Sequence, residues 1–330
     1  MLGINDDFGR RIDYARISVT DRCNYRCLYC MPEEGVSAIP HEGVMRYEDI
    51  FFLCRILWKL GIRKIRFTGG EPLVRKGLVP FLIDLRKEFP DISISLTTNA
   101  SLLSNYSTDL RHVGLSGMNV SLDTLDSEKF KTVTRIGNIE DVFQGIRSAI
   151  DAGIRNIKTN TVLIRGFNDH ELPDILGYAW RLDILPRLIE FMPLADDVWS
   201  EARFISAPEI LEMLQPYGTW CLEDPEINHD KIAVPVGPAR YYRNRSTGRS
   251  VGIIAAVSNH FCKSCNRLRI TATGNMRACL FSNHETPLLE LLRNRDERRT
   301  MKSILEGIQM KPENWEHVQD GKIQMSDIGG

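Results

Sequence analysis

Residues 16–20 read RISVT and residues 64–68 read KIRFT. Successive side chains of an extended strand point to opposite faces. Ile17 and Val19 therefore share one side while Arg16, Ser18 and Thr20 share the other, and Ile65 and Phe67 likewise oppose Lys64, Arg66 and Thr68. The period recurs in ISISLTT (92–98), GMNVSL (117–122) and RLIEFM (187–192). There Ile92, Ile94 and Leu96 oppose Ser93, Ser95 and Thr97; Val120 and Leu122 oppose Asn119 and Ser121; Ile189 and Phe191 oppose Glu190 and Met192. A sixth strand candidate, IKTNTVLI (157–164), has no clean period. Helical patterns separate these runs. RYEDIFFLCRILWKLG (46–61) puts Phe51, Cys54, Ile56, Leu57 and Leu60 near one stripe and stops at Gly61, which makes Cys54 a core residue.

Strands alternating with helices predict βα units and a parallel sheet. A doubly wound sheet has helices on both faces and strands apolar throughout, whereas these strands keep one polar face. The expected fold is α/β: an incomplete (βα)6 TIM-like barrel with a greasy outer surface and a wet interior. Chemistry in such a fold sits on loops at the C-terminal strand ends. Those loops carry a cysteine cluster, Gly69-Gly70-Glu71-Pro72, Thr97-Thr98-Asn99, Ser121-Leu122-Asp123 and Glu190-Phe191-Met192. The βα rhythm stops near residue 193. A boundary near 195 divides the barrel (residues 1–195) from a smaller C-terminal α+β domain (196–330) with short strands, a second cysteine group and two charged helices near 285–307.

The chain of 330 residues has 42 Lys and Arg against 43 Asp and Glu, a balance that excludes a globally basic nucleic-acid binder. No apolar run approaches the ~20 residues needed to cross a bilayer, and MLGINDDFGRR opens with acids where a secretory signal would be apolar. The expectation is a cytoplasmic protein with no membrane and no nucleic-acid partner. Eight cysteines in a reducing compartment then point to metal or redox chemistry rather than disulfides.

Cys23, Cys27 and Cys30 offer three thiolates within eight residues, few enough to leave one position of a four-iron cluster open. A zinc knuckle completed by His41 is the alternative. Cys262, Cys265 and Cys279 form the second group, where spacing alone divides evenly between iron-sulfur and zinc, with His260, His284 or Cys221 able to complete the latter.

DRCNYRCLYCMP, followed by FTGGEPLVR, TTN and SLD, resembles the radical S-adenosylmethionine (SAM) superfamily. The resemblance implies a [4Fe-4S] cluster on Cys23, Cys27 and Cys30, SAM on its open iron, and a 5′-deoxyadenosyl radical as its product. FCKSCNRLRITATGNMRACLF, RISVTDRCN, IEFMPL, ARYYRNRSTGR and the terminal Gly329-Gly330 extend it along almost the whole chain to the GTP 3′,8-cyclase family of molybdenum cofactor biosynthesis. That family implies a second [4Fe-4S] cluster on Cys262, Cys265 and Cys279 that binds guanine, conversion of GTP to 3′,8-cyclo-7,8-dihydro-GTP, and a diglycine tail reaching the active site. It also implies an electron donor such as flavodoxin, a downstream cyclic pyranopterin monophosphate synthase, and allows a homodimer. Cys221 is left as a buried thiol. Ala100 stands where the family more often has glycine.

By the same resemblance Tyr29, Gly70, Ser121 and Met192 match positions that contact SAM, and Arg16, Arg66, Thr97, Lys158, Arg267, Leu268 and Arg269 match positions that contact GTP. The alternation independently turns Ser121 and Met192 inward. Charged groups on an inner face need partners; a triphosphate supplies them, as would acids such as Glu190 or Asp123. Lys64 and Arg187 are lesser candidates, Arg187 falling on the greasy side of its strand. Arg240, Arg243 and Arg245 read as solvated surface. Two rivals remain: a radical SAM peptide-modifying enzyme with an auxiliary cluster, and a non-catalytic iron-sulfur or zinc redox sensor.

Overall fold

Six parallel strands form the centre of the protein: Tyr14–Ser18 (β3), Lys64–Thr68 (β4), Ser93–Thr98 (β5), Gly117–Ser121 (β6), Ile157–Leu163 (β7) and Leu185–Glu190 (β8). They follow a short hairpin of Ile4–Asn5 (β1) and Arg11–Ile12 (β2). The computed structural model describes residues 3–36, 39–194, 198–223, 237–318 and 325; the expected boundary at 195/196 and the Gly329-Gly330 tail lie outside them. Helices Tyr47–Lys59 (α1), Leu78–Glu88 (α2), Ser107–Val113 (α3), Ser127–Thr134 (α4), Ile139–Asp151 (α5) and Leu172–Arg181 (α6) fall between or after these strands. Their apolar stripes share cores with the outward residues Ile17, Ile65, Phe67, Ile94, Leu96 and Val120, and with Leu163 and Leu188. Cys54 is fully buried there, as expected.

The C-terminal part does not build a sheet of its own. Trp220–Leu222 (β9), Arg240–Asn244 (β10) and Ser250–Ile254 (β11) extend one edge, β11 pairing parallel to β8. Arg267–Ile270 (β12), Asn275–Arg277 (β13) and Thr286–Pro287 (β14) extend the other, β12 pairing parallel to β3. The result is one open sheet in the order β14-β13-β12-β3-β4-β5-β6-β7-β8-β11-β10-β9. The charged helices are Leu289–Arg293 and Glu297–Gln309.

Three expectations change. In β8, Arg187 and Ile189 line the interior while Leu188 joins the outer core, so the strand's phase is opposite to that inferred. Glu190 reaches the chamber wall but spends its carboxylate on the backbone N–H groups of Ala207 (2.7 Å), Val257 (2.7 Å) and Ser258 (2.9 Å) and on the Ser258 hydroxyl. Cys221 is only half-buried on strand β9, where Arg245 Nε donates to its sulfur at 2.8 Å. Ala100 occupies φ 63°, the left-handed region in which glycine rests at no steric cost, which accounts for the family's usual residue there.

Candidate active site

The inner sheet face and the loops at its C-terminal end enclose a chamber of about 630 Å³, in the size range of small-molecule sites. All six grouped cysteines line it, so both triads open into one shared space. Cys23, Cys27 and Cys30 leave β3, and Cys262 and Cys265 precede β12; Cys279 follows β13. His260 also lines the chamber, whereas His41 and His284 are exposed and do not.

The first triad is set by close backbone packing. A Cβ on Gly69 would lie 2.6 Å from the Thr20 carbonyl oxygen, and one on Gly70 would lie 2.4 Å from the Arg22 carbonyl oxygen. Only glycine lets the turn after β4 press against the loop that begins the cysteine motif. Glu71 is buried and accepts from the Thr98 hydroxyl (2.8 Å), Asn99 N–H (2.7 Å) and Leu73 N–H (3.1 Å), tying that turn to the end of β5. Burial nevertheless pushes its carboxyl up to about 7. The Tyr29 hydroxyl donates to Asp123, which also accepts the Val162 N–H at 2.8 Å; burial raises Asp123 to about 6.

The donor set suits a metal cluster. Tyr25 N–H and Asn99 Nδ2 point at Cys23 Sγ at 3.4 and 3.9 Å, donors of the kind that stabilise thiolate ligands. Burial holds the Cys23 thiol up at about 11 and Cys27 well above its usual range, and a bound metal would supply positive charge that favours their thiolate forms. At the second triad burial would raise Cys265, but Lys311 and Arg267 bring it down to about 7. Among the described residues no three His, Cys, Asp or Glu side chains converge on a point where one metal ion would be held. A cubane instead takes its three thiolates on three separate iron atoms.

Between the triads lies a row of like charges. Parallel register sets Arg269 beside Arg16 and Arg16 beside Arg66 on three adjacent strands, and Arg267 beside Tyr14 and Tyr14 beside Lys64 one step earlier. Lys158 and Arg187 enter from β7 and β8. Like charges directly opposite one another destabilise a sheet unless an anion joins them. Burial and the neighbouring Arg269 push the Arg16 guanidinium well below its usual range, and burial with Arg267 brings Arg269 down to about 10. Burial, then Arg187 and Arg66, lower the Lys158 ammonium to about 7.

The acids named as alternatives are engaged elsewhere, Asp123 by Tyr29 and Val162 and Glu190 by three backbone amides. Among the described residues Arg66, Lys158, Arg187, Arg267 and Arg269 form no ion pair. Lys64 has Asp13 at 3.8 Å.

Tyr29, Gly70, Ser121 and Met192 all line the chamber, as do Arg16, Arg66, Thr97, Lys158, Arg267 and Arg269. Leu268 does not: its side chain is buried in the outer core, leaving only its backbone near the interior. Arg187 is brought in, contrary to its expected side, while Arg240, Arg243 and Arg245 are exposed. Sequence reasoning missed Tyr14, one residue pair before Arg16 on the same face, because the strand was started at residue 16. It also missed Lys311, which reaches the chamber from outside any strand.

Among the described residues no helix is long and apolar enough to cross a membrane. Residues 17–179 match the family model described as the radical SAM superfamily, and residues 184–317 match that described as molybdenum cofactor synthesis C. In overall fold the chain is similar to Streptococcus suis SuiB bound to precursor peptide SuiA, with TM-score 0.62 and 13% identity over 94% of this chain and 75% of that one. That likeness concerns the fold alone. The chain is 40% identical to a GTP 3′,8-cyclase of Thermodesulfovibrio yellowstonii over 99% of its own length and 100% of the relative's. It is 42% identical to a GTP 3′,8-cyclase of Peptoclostridium acidaminophilum over 98% of both. With relatives this similar over their full length and both family models in register with the two triads, the chain belongs to the GTP 3′,8-cyclase family of radical SAM proteins.

Proposed function

We propose that this protein converts GTP to 3′,8-cyclo-7,8-dihydro-GTP, the first step of molybdenum cofactor biosynthesis. The observation that carries the reading is the single chamber in which two cysteine triads face each other across in-register arginines. Cys23, Cys27 and Cys30 would hold a [4Fe-4S] cluster whose fourth iron takes SAM, and the bound pair supplies a carbon radical by one-electron cleavage. Tyr29, Gly70, Ser121 and Met192 are the SAM contacts of this reading. Cys262, Cys265 and Cys279 are the ligands of a second [4Fe-4S] cluster that receives the guanine base.

The chain's own contribution is placement, since a carbon radical attacks whichever C–H bond lies nearest. Arg16, Arg66, Arg267 and Arg269 grip the triphosphate with planar, multiply donating guanidinium groups and Lys158 with its ammonium, Thr97 and the Leu268 backbone complete the contact, and the ribose is held between the two ends. A chamber filled by the nucleotide also excludes water and stray hydrogen donors. Electrons come from a donor such as flavodoxin, and the product passes to cyclic pyranopterin monophosphate synthase. The reading further takes the chain as two units, residues 1–195 and 196–330, working in the cytoplasm with a homodimer as its assembly.

Anaerobic incubation with dithionite, SAM and GTP tests it. The expected products are 5′-deoxyadenosine and a cyclised nucleotide in matching amounts. Deoxyadenosine formed without consumption of GTP would leave a radical SAM enzyme with a different substrate.

A further inference from the structure

Two buried cations hold the loops of the second cysteine triad from opposite ends of the chain. Arg10, in the loop between β1 and β2, donates Nε to Asp6 Oδ2 at 2.5 Å, and Asp6 also accepts the N–H groups of Phe8 and Arg10 at 3.0 and 2.9 Å. The outer guanidinium nitrogens of Arg10 donate to the carbonyls of Cys262 (2.9 Å), Glu313 (2.9 Å) and Pro312 (2.7 Å). Lys311, 4% exposed, donates Nζ to the carbonyls of Arg267 (2.9 Å) and Ala278 (2.5 Å) and lines the chamber together with Cys265 and Cys279. Ala278 precedes Cys279, and Arg267 lies two residues beyond Cys265.

One cation thus spans the Cys265 and Cys279 loops while the other fixes Cys262 to the segment just after Lys311. Arg10 has its carboxylate in Asp6. Lys311 forms no ion pair among the described residues, and a buried ammonium satisfied only by two carbonyls is costly unless negative charge stands nearby. Three thiolates around a four-iron core supply that charge. Hydrogen bonds to ligand sulfur and nearby charge are what set the potential of such a centre.

We propose that Lys311 is the buried countercharge of a cluster on Cys262, Cys265 and Cys279, and that Asp6–Arg10 is the clasp that positions its Cys262 arm. The inference rests on reading that triad as an iron-sulfur site. All three are positioning residues: they act through the ligands and touch no substrate in this assignment.

The experiment uses the full chain with Cys23, Cys27 and Cys30 each replaced by Ser, so that only the second triad takes iron. This parent is compared with Lys311→Met, Lys311→Arg and Arg10→Gln in the same background, by iron per chain after anaerobic reconstitution and by redox titration followed in the paramagnetic resonance spectrum. Lys311→Met is expected to retain iron but to lower the midpoint, shifting the reduced-to-oxidised ratio at fixed potential by tenfold or more, about 59 mV for one electron. Lys311→Arg restores most of that shift. Arg10→Gln loses iron severalfold while the remaining centre keeps a potential near the parent's. An unchanged midpoint in Lys311→Met overturns the assignment and leaves the second cluster standing. Loss of iron in both Lys311 variants also overturns it, since shape rather than charge would then be decisive. A parent that binds no iron removes the second cluster and this inference with it.

Discussion

Arg66 donates Nε to the Tyr14 hydroxyl at 2.7 Å, and both groups face the chamber from adjacent strands of the barrel. Burial would raise the Tyr14 phenol, yet Arg66, Arg16 and Arg267 around it bring it down to about 8. Tyr14 is the acceptor that lets a guanidinium sit on the inner face with its fork aimed forward. A second Arg66 nitrogen donates to the Leu96 carbonyl at 2.8 Å, so the group is fixed at two points before any ligand arrives.

Tyr14→Phe removes one of those points and leaves a part-buried Nε without a partner, at a cost of about 1–3 kcal/mol. The expected outcome is a KM for GTP raised roughly tenfold, the equivalent of about 1.4 kcal/mol and within that range, with slow GTP-independent cleavage of SAM unchanged. Steady-state kinetics of cyclised nucleotide and deoxyadenosine check both halves. A KM equal to the parent's would mean that Arg66 is oriented by the sheet alone.

Lys158 gives the binding reaction a pH dependence of definite sign. Burial, Arg187 and Arg66 hold its ammonium down at about 7 in the free protein. A bound triphosphate favours the charged form and raises that value again. Binding therefore takes up a proton, and GTP affinity falls as pH rises from about 7 toward the value in the complex. Tyr14, at about 8, adds to the same trend above pH 8. Calorimetry in two buffers of different ionisation enthalpy measures the uptake, and Lys158→Met should weaken binding and flatten the profile between pH 7 and 8. Retention of the full slope in that variant would place the proton elsewhere.

How far the sequence carried this picture depended on what stands outside each strand. In β3, β4 and β5 the outer face is apolar against the helices, so polarity marked the inner face and placed Arg16, Arg66 and Thr97 on it. In β7 the outer face holds Thr159 and Thr161, both buried, with the Thr161 hydroxyl donating to the Leu122 carbonyl at 2.6 Å; polarity then lies on both faces and the period blurs. In β8 the one carboxylate is consumed by loop amides, and Ile189 faces the chamber, which inverts the apparent phase and hid Arg187. The C-terminal strands lie at both edges of the barrel sheet because β11 and β12 pair with β8 and β3, a long-range choice that local periodicity does not encode. The resemblance named the cysteines, but only the register shows that Arg269, Arg16 and Arg66 stand side by side.

Gly70→Ala should damage the first triad specifically. The new methyl would lie 2.4 Å from the Arg22 carbonyl oxygen and 2.9 Å from that of Asp21, both backbone atoms that can yield only by moving the loop leading into Cys23. Overpacking of this kind costs about 1–3 kcal/mol. The expected result is loss of iron from the first triad and at least a tenfold fall in SAM cleavage, while the second triad retains its iron. Counting iron in this variant, with and without Cys262, Cys265 and Cys279 replaced by Ser, separates the two sites. Equal losses from both would show general unfolding rather than a local clash.

Glu190 is fully buried and its carboxylate accepts the N–H groups of Ala207, Val257 and Ser258. Ala207 opens the helix Ala207–Leu214, and Val257 and Ser258 belong to the loop that follows β11 and runs toward Cys262. The residue thus staples two C-terminal segments to the last barrel strand, and its removal strands three amides at once. Glu190→Ala is expected to lower stability by about 3 kcal/mol or more, at about 1 kcal/mol per unsatisfied donor. Glu190→Gln keeps one accepting oxygen and should recover part of that loss. If the carboxylate instead served the reaction, Glu190→Gln would unfold at the parent's denaturant midpoint and yet lose turnover. The staple predicts the reverse order: a lowered midpoint in urea, with turnover per folded molecule retained.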